Sequence, residues 1–220
     1  MTKKFTTYPK VKIHGTEHRI MVSYGNTKVQ FPYIDMMSAM QCPSRKWCAF
    51  DATGEYKGKS PRHLKCYAQK SEKFHTNLAV SKEKNRTAIE HWNSMDTDAQ
   101  HEFIERLAST MANMATKRET RYIRLNTAGD VYAGNVDFAV QLITALSMMG
   151  LTPFLYTKAV PSVQRKLRES GAVVLRSDVD FIPYVSESEL PEGAAVCGGI
   201  CAEGICTRCP DGLTTYIKEH

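Results

Sequence analysis

From Tyr122 to Leu175 the chain is punctuated as strand, helix, strand, helix, strand, and nothing else in the sequence restricts the fold so closely. Tyr122–Leu125, Thr152–Tyr156 and Ala172–Leu175 are short, mainly apolar runs of strand length. Residues 136–149 and 162–170 between them carry apolar residues at helical spacing, with Gly150 and Gly171 as stops. Glycine enters the left-handed conformation that ends a helix without steric penalty. A helix-length connection returns the chain to the starting edge of the sheet, so successive strands run parallel. The predicted class is α/β, a parallel sheet with flanking helices.

Upstream, residues 10–32 alternate and carry turn signals, with Val11, Ile13, Ile20, Val22, Val29 and Phe31 around Tyr24-Gly25-Asn26, and predict an N-terminal β-hairpin region. Pro32 is expected to close the last of these strands, and a short helix over Tyr33–Met40 to follow. Residues 67–93 are helix-compatible, with Leu78, Ala79, Ala88, Ile89 and Trp92 as expected buried contacts. The clearest helix is Asp96–Lys117, where Phe103, Ile104, Leu107, Met111 and Met114 recur at helical spacing and Asp96 or Thr97 supplies the cap. Phe181–Val185 reads as a fourth strand despite Pro183. The polar stretch 186–192 reads as a linker, dividing an α/β domain over 1–185 from a cysteine-rich tail over 186–220.

The seven cysteines fall into two groups. Cys197, Cys201, Cys206 and Cys209 crowd a glycine-bearing segment as C-x3-C-x4-C-x2-C, and Cys42, Cys48 and Cys66 lie far upstream. An odd count argues against a purely disulfide framework, and the first residues show no secretory apolar stretch, so the thiols are expected in a reducing cytoplasm. Crowded thiolates point to a metal or cluster. Between Cys42 and Cys66 six basic residues stand against two acidic ones, a net +4 that would offset thiolate charge. The two groups are predicted to lie near one another, because a tail leaving the last parallel strand emerges at the edge to which the upstream segment leads. His220 is close enough in sequence to Cys209 to join them. The chain as a whole carries net charge +6, compatible with nucleic acid without requiring it, and contains no membrane-spanning apolar run.

Each strand of the second half ends in polar chemistry: Asn126-Thr127-Ala128-Gly129-Asp130, then Thr157-Lys158, then Arg176-Ser177-Asp178. Ligands of parallel α/β sheets bind beyond the carboxyl ends of the strands. Asp130, Lys158 and Asp178 are therefore the candidate catalytic residues, and Asn126, Gly129 and Thr157 the candidate cofactor contacts. The plainer reading is that Asp130 and Asp178 cap the segments that follow.

The order of these pieces resembles the phage gene-product-88-like proteins. The resemblance rests on Phe31-Pro32, Cys42-Pro43, Cys48, Cys66-Tyr67-Ala68, Arg124 through Asp130, Tyr156-Thr157-Lys158, Cys206-x2-Cys209 and His220. More loosely, the chain is similar to radical S-adenosylmethionine enzymes, which place a cysteine loop after the first strand of a partial (β/α) barrel. Their three thiolates hold a [4Fe–4S] cluster with one iron open to the cofactor. Their C-x3-C-x2-C loop is not reproduced here; Cys201-x4-Cys206-x2-Cys209 comes nearest and lies at the opposite end of the chain. Thiolate-only ligation suits an iron–sulfur cluster on a truncated barrel or open sheet, with a catalytic or redox-sensing role on a small-molecule or macromolecular substrate; the looser similarity adds S-adenosylmethionine as a further cofactor, and the phage family implies a host cytoplasm. The alternative is zinc in a structural module that contacts nucleic acid.

Overall fold

A computed structural model describes residues 6–7, 10–13, 16–27, 29–43, 68, 72, 76–176, 181–184, 186–194, 196–197 and 215–218. Ten strands are described: β1 (Thr6–Thr7), β2 (Lys10–Ile13), β3 (Thr16–Arg19), β4 (Val22–Ser23), β5 (Tyr33–Ile34), β6 (Tyr122–Leu125), β7 (Thr152–Thr157), β8 (Val173–Arg176), β9 (Phe181–Tyr184) and β10 (Thr215–Lys218). Four helices accompany them: α1 (Thr76–Trp92), α2 (Thr97–Lys117), α3 (Val136–Met148) and α4 (Pro161–Glu169).

The main sheet has the order β1-β4-β5-β6-β7-β8. Strands β5 to β8 pair in parallel, and β4 joins them antiparallel, as does β1 to β4. The parallel arrangement predicted from the alternation is thus present, extended by a strand that the sequence reading assigned to a helix. Pro32 does not end a strand. A proline lacks only the N–H, and the Pro32 carbonyl accepts the Arg124 amide at 3.0 Å, so the ladder continues through Tyr33↔Arg124 and Ile34↔Leu125. The expected helix over Tyr33–Met40 is replaced by β5 and a turn. Strands β2 and β3 form the expected N-terminal hairpin.

Strand β9 does form, but apart from the main sheet, in parallel with β10. Pro183 lies opposite Ile217 in a strand with one partner among the described residues, the kind of edge position that accommodates a proline. β10 lies in the cysteine-rich tail, where the sequence reading placed no strand.

Alternation along the parallel strands separates two faces. Ile123, Leu125, Leu155 and Val174 pack with the apolar sides of α1 to α4, including Ile89, Trp92, Phe103, Leu107, Met111, Phe138, Leu142 and Leu167. Tyr122 and Phe154 on the other face meet Phe31 edge to face, at centroid distances of 5.5 and 5.7 Å between Phe31 and each ring. Helix α2 begins at the predicted cap, where Asp96 accepts the Ala99 amide at 2.9 Å. Its predicted apolar stripe is buried throughout. On α1 the buried residues are Lys82, Asn85, Ala88, Ile89 and Trp92, while Leu78, expected inside, is exposed. The reciprocal bonds of Trp92 Nε1 to the Gln100 carbonyl and Gln100 Nε2 to the Trp92 carbonyl fix the turn between α1 and α2. Gly150 (φ +76°) ends α3 as expected, and Leu151 N–H returns to the Leu146 carbonyl.

Phe138 is the hinge of this packing, fully buried and edge-on to both Trp92 (5.3 Å) and Phe103 (6.4 Å). Phe138→Ala should cost about 3–5 kcal/mol in urea denaturation, whereas Met148→Ala at a position 84% exposed should leave the midpoint unchanged.

Candidate functional site at the carboxyl edge of the sheet

Parallel register brings the ends of β5, β6 and β7 to one edge, and each releases a buried polar side chain there: Asp35, then Asn126 and Asp130, then Thr157. Asp35 binds the loop that follows β6. Its Oδ1 accepts the Thr127 and Ala128 amides, the latter at 3.0 Å, and both carboxylate oxygens accept the Thr127 hydroxyl at 2.8–2.9 Å. Asn126 takes a left-handed backbone (φ +59°), which asparagine tolerates better than most residues, and its Oδ1 accepts the Met36 amide at 3.1 Å. Its Nδ2, also buried, has no hydrogen-bond partner among the described residues. An unpaired buried amide donor costs about 1–3 kcal/mol.

Asp130 ties the loop after β6 to the end of β7. Its Oδ1 accepts the Val131 amide at 2.8 Å and the Thr157 hydroxyl, and its Oδ2 accepts the Lys158 amide at 3.0 Å. It does not cap α3, whose N-cap is Asn135. The structure therefore gathers Asn126, Gly129, Asp130, Thr157 and the Lys158 backbone in one place. Gly129 (φ +78°) faces Met37: a Cβ there would meet the Met37 carbonyl oxygen at 2.9 Å. Its lack of a side chain is used by this close approach of two backbone segments. Asp178 lies outside the described residues.

Beside this edge stands a buried ionic cluster that sequence reasoning missed. Lys82 on α1 reaches Glu72 Oε1 at 3.0 Å and Asp35 Oδ2 at 3.4 Å. Glu72 also accepts the Ala39 amide at 3.0 Å and the Ser38 hydroxyl at 2.5 Å. Asn85 completes the arrangement by bonding both the amide and the carbonyl of Met21 and the carbonyl of Asp35. Burial works against charge on Glu72, but the Ala39 amide, the Ser38 hydroxyl and the Lys82 ammonium more than offset it and hold its carboxyl below the ordinary carboxylate range. Burial likewise disfavours the Lys82 ammonium, and Asp35 and Glu72 together push its pKa up instead. The signal was present in the sequence: Lys82, Asn85, Ile89 and Trp92 share one helical stripe, so two polar residues continue an apolar face.

Of the cysteines, Cys42 is buried and Cys197 partly exposed, while Cys48, Cys66, Cys201, Cys206 and Cys209 lie outside the described residues, as does His220. The expected nearness of the two cysteine groups turns on those residues. Among the described residues no three His, Cys, Asp or Glu side chains are grouped to hold a metal ion, and no helix is long and apolar enough to cross a membrane.

The model of one protein family, gene product 88, matches residues 2–176. The chain belongs to the gene product 88 family. The matched residues include Cys42, Cys48 and Cys66 and every residue of the carboxyl edge described above, and they stop at the end of β8, before the four tail cysteines. No curated protein and no solved structure matches the chain, so the similarity to radical S-adenosylmethionine enzymes gains no support from these comparisons.

Removing the Lys82 ammonium leaves two buried carboxylates unbalanced, so Lys82→Met should destabilise the fold by about 3–5 kcal/mol at neutral pH. The Glu72 contribution is fully present above its unfolded pKa, about 4.3, and is lost as pH falls through the lower folded value. The Lys82 contribution is present below its unfolded pKa, about 10.4, and is lost as pH rises through the higher folded value. The stability gap between wild type and Lys82→Met, measured by urea denaturation across pH, should therefore be widest between about pH 5 and 10 and narrow at both ends.

Proposed function

We propose that the chain is an iron–sulfur protein whose functional centre lies at the carboxyl edge of β5, β6 and β7. The observation that carries this reading is the place from which the upstream cysteine segment starts. It leaves the carboxyl end of β5, the first parallel strand, and its first cysteine, Cys42, is buried. The residues described on either side of it meet, since Glu72 binds Ser38 and Ala39, and Ala68 packs with Ala39 and Ala128. The strand order β5-β6-β7-β8 advances steadily in one direction, as in a fragment of a (β/α) barrel.

On this reading Cys42, Cys48 and Cys66, together with thiolates of the tail, are the source of cluster ligands, and a bound cluster would supply redox or Lewis-acid chemistry. Asp130 and Thr157 act as positioning residues, because their polar atoms are engaged in joining two strand ends. Asn126 Nδ2, which has no partner among the described residues, and the Lys158 side chain are the donors offered to a ligand or S-adenosylmethionine. The +4 charge of the segment from Cys42 to Cys66 suits an anionic thiolate-ligated cluster.

Anaerobically purified protein should be brown and contain iron with inorganic sulfide in place of zinc. Cys42→Ala should lose iron, and Cys206→Ala and Cys209→Ala should do so if the tail contributes ligands. Colourless protein holding one tight zinc would replace this reading with a structural zinc module. Full iron content in both tail variants would remove the tail from the ligand set.

A further inference from the structure

A cavity of about 230 Å³ opens beside the carboxyl end of β5, between β4, β5 and the first half of α1. Met21, Val22 and Leu78 give it apolar wall, and Asp35, Lys82 and Asn85 give it buried polar floor. Its volume matches about eight liquid waters and falls below the roughly 300 Å³ at which drug-sized sites begin.

The hydrogen bonds of the floor decide what kind of ligand it can take. Asn85 has both amide protons engaged, and its amide oxygen accepts from the Met21 amide. The Asp35 carboxylate accepts from two backbone amides and a hydroxyl and is paired with Lys82. Glu72 is filled by Ser38, Ala39 and Lys82. Lys82 has three N–H donors and, among the described residues, two partners, Glu72 and Asp35, so one donor is in excess. Each acceptor atom of the floor already accepts a hydrogen bond, whereas the ammonium has a donor in excess, so the ligand best matched to the floor brings an acceptor. The cluster holds two carboxylates and one ammonium, so an anionic acceptor would add like charge in a site with little water to screen it. A cationic ligand would face the ammonium and find the carboxylate oxygens already occupied.

We propose that this cavity is a binding site for a small neutral molecule bearing a carbonyl or hydroxyl acceptor, held by Lys82 against the apolar wall of Met21, Val22 and Leu78. The site is separate from the cluster reading and does not depend on metal content.

The test is ¹H–¹⁵N NMR of the full chain titrated with acetamide, benzamide and glycerol, and with acetate and benzoate as charged counterparts. At least one neutral probe should give saturable shifts centred on Met21, Ser23, Asn77, Ser81 and Lys82, and its carboxylate counterpart should bind at least tenfold more weakly. Lys82→Met should abolish the shifts. Because that variant can also unfold the chain, Ser81→Leu serves as a second one: it fills the cavity from the surface of α1, and should weaken binding at least tenfold in a protein of unchanged dispersion. The proposal is overturned if none of the three neutral probes gives saturable shifts at these residues, if carboxylates bind as well as their neutral counterparts, or if folded Ser81→Leu binds as the parent does.

Discussion

The Asp35 carboxylate is the tie on which the carboxyl edge depends. It accepts from the loop that follows β6 and pairs with Lys82 on α1, joining segments 92 residues apart in sequence. Through Lys82 the same charge reaches Glu72, and through Glu72 the turn at Ser38 and Ala39. A buried carboxylate is tolerable only when its lone pairs are filled and its charge is opposed, and both conditions are met here by groups on different elements. Removing any member leaves another polar group buried and unmatched, so the cluster specifies one arrangement of the edge more than it adds net stability.

What the sequence discloses about this fold follows the range of the interactions involved. The helices α2, α3 and α4 and the strands β6, β7 and β8 are legible because periodicity, an Asp cap and stop glycines are local signals. Strand β5 is not, because two residues after a proline carry no pattern; they become a strand only when Arg124 of β6 and Asn126 just beyond it, far along the chain, donate their amides to the Pro32 and Ile34 carbonyls. Strand β10 is hidden in the same way, since its partner β9 is distant and the four cysteines and five glycines between them interrupt any strand pattern.

The candidate site divides similarly. Asn126, Asp130 and Thr157 are visible as polar residues at strand ends, a position that parallel topology endows with meaning before any contact is known. Asp35 occupies the same position on β5 and is overlooked once β5 itself is. Lys82 and Asn85 look like ordinary surface residues of a polar helix until their spacing to Ile89 and Trp92 is counted. Glu72 carries no sequence signal, since its role depends wholly on the amide and hydroxyl it meets across the turn.

The unequal reach of the strand pairings bears on how the chain assembles. β6, β7 and β8 are each one helix apart, so their closure requires short loops, whereas β5 must find β6 across a far longer stretch of chain, and loop-closure entropy delays such contacts. The hypothesis that follows is a two-stage order in which β6 through β8 with α3 and α4 form an early kernel and the N-terminal strands dock onto it. In a pulse-labelling hydrogen-exchange experiment, amides of Leu125, Leu155 and Leu175 would gain protection before those of Val22 and Ile34; simultaneous protection of both sets would show instead that the Asp35 tie is already formed in the rate-limiting step.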